Sequence, residues 1–460
     1  MFLKSLYRCM STDSVRMLVV ICGLLFFITA FIYVQLGFLP SGDEPHYLVI
    51  SQTLLKYHSL DVMLDYKNAD YRSFYPIPLI PQVTHNTTGN LLPMHDIGGP
   101  ILWLVPYFLL GRLGAVFFIS FISVLIVVNI YKFLLTMGIN ERCAFLVSLA
   151  YGIASPIYLY AHLTFVEPIG AFVSIYVLRK IFQKEINVSD LVISSTLLGI
   201  LPWVHIRFAL IEMPLFFFML YRVYKDNKLK NIKHYLYYLI PVTLLFAVLE
   251  LYNYKVWGTL NPGIDQINNN NMPFARNPLP GMLGIFFDQE YGVLLNFPIF
   301  IFLIVGVIVA AKKKFGIYNV LVLITSIPYV VAFSTLRHWS GGWCPPARFL
   351  MTLLPLYSFY IAYALQTIDS RASRRLLTFS LVYGFVYNIL SLLPAQNGFN
   401  GEIGYNHTLI YLQLFGHRLT DLFPSFFLPN QGGMIAVWVL LFVAISLFMI
   451  YSGRVEQKKS

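Results

Sequence analysis

Charge is what this sequence is short of: 12% of its 460 residues are Asp, Glu, Lys or Arg, roughly half the share of an ordinary soluble chain. The 58% hydrophobic content and mean hydropathy of +0.68 leave too much apolar surface for a soluble core to absorb. Lipid is the natural solvent for it. A long basic arm is also lacking, as is any RNA-type motif, so the net charge of +11 does not point to nucleic acid. Internal repeats, low-complexity tracts and an appended soluble domain are absent from the pattern as well. What the chain has in abundance is aromatic, 39 Phe and 31 Tyr, which suits a helical bundle with aromatic belts at the membrane interfaces.

The apolar runs predict an all-α, polytopic transmembrane bundle of about twelve spans, within a range of 11–13. Approximate limits are 17–38, 112–131, 143–160, 165–181, 188–204, 207–221, 235–254, 293–311, 317–334, 347–366, 376–394 and 433–452. The first run is longer than a signal-peptide core and has no small-residue cleavage site, so it reads as an uncleaved first span. The stretch 101–110 adds an interfacial or re-entrant helix. Residues 1–460 form one transmembrane domain, with a long loop at 39–111 carrying juxtamembrane helices.

Alternating sides along the chain places most Lys and Arg residues on one face, in clusters such as Lys4/Arg8/Arg16, Arg222/Lys225/Lys228/Lys230/Lys233 and Lys312/Lys313/Lys314. That is the positive-inside pattern, with both termini cytoplasmic. Cys9, Cys22 and Cys143 then fall in cytoplasmic or intramembrane stretches, which leaves Cys344 alone outside and no disulfide framework there. The acids do the opposite. Asp43, Glu44, Asp61, Asp65, Asp70, Asp96, Glu167, Asp265, Asp288, Glu290, Glu402 and Asp421 all fall on the non-cytoplasmic side, although orientation does not require it.

Several short runs on that side carry the residue types of a reaction centre. The run SGDEPHY at 41–47 sets Asp43 and Glu44 just beyond the first span, where a partly desolvated carboxylate can act as a general base. Asp43 before Pro45 also fits a helix N-cap. His95 and Asp96, in a Gly/Pro-rich turn, could bind sugar hydroxyls or shuttle a proton, or Asp96 could cap a helix. Glu167, before Pro168, is either a functional acid or a dipole-compatible helix start. His205 and Arg207 lie in a tight turn where the guanidinium can hold a phosphate or simply reach the interface. The run at 337–349 offers Trp339 and Trp343 as stacking platforms and Arg337 and Arg348 as cations for a departing phosphate. Asp288 and Glu290 leave a divalent metal open, but two carboxylates alone are a thin ligand set, so no cofactor is expected.

The acidic pair straight after the first span, leading into a juxtamembrane helix, resembles the C-type glycosyltransferase superfamily (GT-C), which includes the protein O-mannosyltransferases and lipid A aminoarabinose transferases. The turn at 91–100 and the runs at 162–168 and 337–349 are similar to stretches of the same superfamily. The resemblance implies a multi-spanning enzyme of a bacterial inner membrane that transfers a hexosyl or pentosyl group from a polyprenyl-phosphate carrier, with inversion. Its acceptor would be an extracytoplasmic glycan, lipid or protein, and the family's first-loop aspartate maps onto Asp43. The alternatives are a lipid-linked sugar flippase or transporter, and an envelope polysaccharide polymerase or ligase. A transporter would place ionisable groups near the bilayer midplane, whereas here only Glu212 and Glu250 lie clearly within expected spans.

Overall fold

A backbone in lipid must satisfy its own N–H and C=O groups, and a chain this apolar does so by forming helices. The computed structural model describes residues 14–226, 231–260, 262, 277–311, 315–393, 399–414 and 416–457. It opens with α1 (Ser14–Gln35), then the first-loop helices α2 (Glu44–Tyr57) and α3 (Met63–Asn68). An antiparallel hairpin of β1 (Val83–His85) and β2 (Leu91–Pro93) follows. Next come α4 (Gly98–Leu102), α5 (Leu104–Leu110), α6 (Arg112–Thr136), α7 (Glu141–Ile153) and α8 (Pro156–Tyr160). The bundle continues through α9 (Glu167–Phe182), α10 (Val188–Val204), α11 (Ala209–Lys225) and α12 (Ile232–Tyr252). Its second half holds α13 (Leu279–Phe287), α14 (Val293–Asn296), α15 (Ile301–Ala310), α16 (Gly316–Ser334), α17 (Ser358–Thr367) and α18 (Arg371–Leu392). A two-residue-per-strand hairpin, β3 (Gln413–Leu414) with β4 (His417–Arg418), precedes α19 (Gly432–Gln457).

The fold is a polytopic membrane bundle. By length and composition, six described helices can cross a membrane, and two shorter apolar helices, Val188–Val204 and Pro298–Ala310, accompany them. Each expected run coincides with helix, but three of them are broken. The run at 143–160 splits between α7 and α8, where Ser155 caps the second piece by accepting a hydrogen bond from the Ile157 N–H ahead of Pro156. The run at 293–311 is interrupted at Phe297, next to Pro298. The run at 347–366 starts as two 3-10 turns, Phe349–Thr352 and Leu354–Tyr357. Proline, which cannot donate a hydrogen bond in a helix interior, accounts for such breaks. The expected helix at 101–110 is likewise two pieces, hinged at fully buried Trp103, whose indole donates to the Ser51 hydroxyl at 3.0 Å.

Burial separates the centre of the bundle from its rim. In the apolar window of α6, 72% of residues are buried; in those of α19 and of the helix spanning Ile232–Trp257 only 17% are. The exposed Leu244, Leu251, Leu440 and Leu447 are what a lipid-facing surface requires. α6 packs against α1 and α9, so the helix that leads toward the 41–47 turn and the helix that Glu167 opens share one buried partner. Several basic clusters, among them Lys4/Arg8, Lys228/Lys230 and Lys312/Lys313/Lys314, lie outside the described residues, as does Asp265.

Candidate active site

Asp43, Glu167, Arg207 and Arg348 meet at one end of the bundle. Asp43 precedes α2, yet its side chain makes no capping hydrogen bond. The carboxylate instead pairs with the Arg348 Nη2. Glu167 opens α9 without capping it, since the residue before it, Val166, makes no side-chain cap either. Its Oε1 accepts from the Arg348 Nε at 2.7 Å and from an Arg207 Nη at 2.7 Å. Arg207 sits in the 3-10 turn Ile206–Phe208 between α10 and α11. Both acids thus stand at helix starts with their carboxylates turned to arginine partners rather than to a cap.

Aromatic rings wall these cations in. The Arg348 guanidinium lies 4.6 Å from the centre of the Phe165 ring and 5.8 Å from that of Phe349. The Arg207 guanidinium lies 5.4 Å from Phe349 and 5.2 Å from Phe208. Phe349 therefore sits between the two cations, where ring faces favour positive charge. Glu167 is fully buried, and the side chains of Arg348 and Arg207 are only 6% and 8% exposed. The Asp43 side chain is 24% exposed, which makes it the cluster's accessible member.

Local backbone geometry explains how Arg348 reaches this position. Ala347, just before it, takes φ +63°, a left-handed conformation rare for a residue with a Cβ. Its N–H is tied to the Tyr291 carbonyl at 3.0 Å. Gly341, at φ +91°, leaves the space that Arg348 needs: a Cβ there would come within 2.8 Å of the Arg348 Cδ. Its carbonyl accepts from the Arg348 Nη1 at 2.7 Å. Gly42, at φ +56°, lies against the Trp343 carbonyl, which a Cβ would approach to 2.4 Å. The 41–47 turn is thus seated directly on the 337–349 loop, with the Ser41 hydroxyl donating to the same carbonyl at 3.2 Å.

The neighbouring acid, Glu44, is differently employed. It is fully buried and accepts from the Ser41 N–H at 2.9 Å and from the Thr164 N–H and hydroxyl at 2.7 and 3.1 Å. Burial pushes its carboxyl up, against the pull of Arg112 and those donors. Glu44 is a clamp between two loops. For Asp43, burial also acts upward, but the Arg348 guanidinium, with help from His95 and Arg207, outweighs it and holds the carboxyl well below the usual range.

Beside Asp43 lies a histidine–tyrosine stack. The rings of His95 and His46 are 5.8 Å apart and nearly parallel, and His95 is 4.8 Å from Tyr47. His95 Nε2 bonds Gln82 Oε1 at 2.6 Å, and His46 Nδ1 bonds the Tyr66 hydroxyl at 2.7 Å. Burial drives the imidazole of His95 down, against the pull of Asp43, and that of His46 down to about 3. Gln82 was not legible as a site residue, and nor were Phe165 and Phe349; the two phenylalanines do flank Glu167 and Arg348 within the runs already singled out.

The remaining expected residues are placed elsewhere. Asp96 caps no helix, because α4 begins at Gly98 with Ile97 before it; its carboxylate stands 3.7 Å from His205 Nδ1 at the partly exposed rim. Trp339 is buried and stacked on Phe427 at 5.2 Å, with Gly284 pressed against its ring. Its faces are taken by protein. Trp343 is 53% exposed and rests on Gly401. Arg337 is exposed and makes no hydrogen bond or ion pair among the described residues. Among those residues, too, no group of three or more His, Cys, Asp or Glu side chains converges as metal ligands do. Asp288 accepts from the N–H groups of Glu290, Tyr291 and Phe426 at 2.8–2.9 Å, and Glu290 from those of Ile403 and Gly404 at 3.3 and 2.6 Å. Both acids are spent on pinning the segment before α19.

No family model and no curated protein matches the chain. Among solved structures it is similar to ArnT from Cupriavidus metallidurans bound to undecaprenyl phosphate, with 13% sequence identity, a TM-score of 0.48 and coverage of 96% of this chain and 73% of that one. ArnT from the same organism in the apo state gives 16% identity and a TM-score of 0.46, over 94% and 72%.

Proposed function

We propose that this protein is an integral membrane glycosyltransferase that moves a sugar from a polyprenyl-phosphate carrier to an extracytoplasmic acceptor. The observation that carries the reading is the direct pairing of accessible Asp43 with Arg348, itself joined through Glu167 to Arg207. A base for an acceptor hydroxyl and two cations for a phosphate leaving group are thereby within one side chain of each other. In the reaction, the acceptor oxygen bonds to the anomeric carbon as the bond from that carbon to the phosphate oxygen breaks. The electron pair leaves with the polyprenyl phosphate, and the hydroxyl proton passes to Asp43. Attack opposite the departing phosphate inverts the centre. Arg348 and Arg207 stabilise charge as it develops, in a site where fixed cations act at low dielectric.

The positive-inside pattern of the basic clusters supports a site end that faces away from the cytoplasm, and the resemblance of the motifs supports a bacterial inner membrane. A nucleotide sugar is a cytoplasmic donor, so a carrier that crosses the bilayer is the consistent source. Polymerase or ligase activity would share the donor, the side and the topology, and differ mainly in which loop is catalytic. Deleting the gene should make a polyprenyl-phosphate sugar accumulate in lipid extracts analysed by mass spectrometry. Wild type should clear it and Asp43→Asn should not. An unchanged lipid profile in the deletion strain would contradict the assignment.

A further inference from the structure

The three donor arms of Arg348 are not equivalent. Nε is held by fully buried Glu167, and Nη1 by the Gly341 carbonyl. Only Nη2 points at a partner that solvent or substrate can reach, Asp43. Glu167 meanwhile binds both arginines through a single oxygen, and its Oε2 is buried with no hydrogen-bond partner, as is the Nε of Arg207. Two orphaned groups, one acceptor and one donor, are thus left inside one small constellation, where they are costly unless something fills them. The four charges of Asp43, Glu167, Arg207 and Arg348 already cancel, so an entering phosphate brings excess negative charge with nowhere to go.

Resting on the transferase reading, we infer that the donor phosphate displaces Asp43 from Arg348, so that donor binding itself frees the base. Glu167 is the positioning residue: buried and shared, it keeps both guanidiniums in place while the partly exposed Asp43 carboxylate swings off. Asp43 rests as a tightly paired anion, which is a poor proton acceptor, and becomes a competent one only when the phosphate has taken its place. The arrangement couples activation of the acceptor to the presence of the leaving group and discourages turnover of an empty site. It also means that the base and the donor compete for one nitrogen in the ground state.

Competition gives a signature that a simple base does not. Binding of undecaprenyl phosphate to the purified protein in detergent, with undecaprenol as the uncharged comparison, reads it out. Asp43→Asn should bind the phosphate about tenfold more tightly than wild type, since one like charge beside the phosphate is gone, while undecaprenol binding stays the same. Asp43→Glu, which keeps the competing charge, should show no gain. In an Arg348→Lys background, which lacks the planar fork, the gain from Asp43→Asn should vanish, a non-additivity read from the double-mutant cycle. Equal phosphate affinity for wild type and Asp43→Asn, or a gain that persists without Arg348, would overturn the inference. Wild type that transfers sugar while showing this equality would leave the transferase reading standing; wild type that neither binds the phosphate nor transfers would remove both.

Discussion

Replacing Glu167 with alanine strands two guanidiniums in a site where neither is more than 8% exposed. Arg348 retains Asp43 and the Gly341 carbonyl, whereas Arg207 loses its ion-pair partner. Removing one partner of a buried ion pair costs about 3–5 kcal/mol. Unfolding entropy of roughly 2.1 cal/mol/K per residue, taken over the 460-residue chain, corresponds to about 1 kcal/mol per degree, so the thermal midpoint should fall by about 3–5 °C. Glu167→Gln, which preserves an acceptor oxygen without the charge, should fall by less. Scanning fluorimetry of the purified protein at one heating rate measures both. The loss should shrink in an Arg207→Met background, where one of the stranded charges is already absent. A Glu167→Ala protein that melts with the wild type would refute the idea that this carboxylate organises the site.

Other expectations follow from the same geometry. Asp43→Asn should lower transfer by about 10²–10⁴-fold, the usual weight of a general base, with protein abundance unchanged; residual activity near wild type would dismiss the base. Gly42→Ala forces a Cβ to within 2.4 Å of the Trp343 carbonyl at φ +56°, so transfer and thermal midpoint should drop together, whereas an active, stable variant would show that the turn can shift freely. Burial pushes Asp288 up to about 6 and Glu290 up to about 8, the latter with a further push from Asp288. Since these folded-state values exceed the unfolded ones, stability is greatest below pH 4 to 5 as far as these groups go and is lost as pH rises through 6 and 8. Limited proteolysis within residues 399–428 should accordingly be faster at pH 8.5 than at pH 6, and Glu290→Gln should flatten that dependence. A steeper dependence in the variant would contradict it.

Much of the layout was legible because lipid imposes one rule, that apolar runs become helices. The positions of α1, α6, α10, α12, α16, α18 and α19 follow from run length alone. The breaks at Ser155, Phe297 and the Phe349–Thr352 turn did not, because a proline near a run's end reads equally as a boundary or a kink. At the site, Asp43, Glu167, Arg207 and Arg348 were each visible as charged residues in costly turns. Their mutual contacts were not: Arg348 and Asp43 are 305 positions apart, and nothing local says which of three arginines meets which acid. The resemblance already favoured Asp43 over Glu44 as the base, but what Glu44 does was not legible, because its partners Thr164 and Ser41 leave no mark beside it in the sequence. Trp339 illustrates the reverse difficulty, since a tryptophan that stacks on Phe427 and one that stacks on a sugar have the same sequence signature. Asp288 and Glu290 resembled a ligand pair because backbone N–H partners from a loop more than a hundred residues away leave no mark in the pattern.

The most direct test reconstitutes the purified protein in liposomes with a polyprenyl-phosphate sugar and an acceptor glycolipid, and follows the lipid-linked sugar and its phosphate product. Wild type should consume the donor, release polyprenyl phosphate and glycosylate the acceptor, while Arg348→Met and Asp43→Asn, both folded, should leave the donor intact. Movement of the unconsumed donor from one leaflet to the other, undiminished in those two variants, would contradict the account.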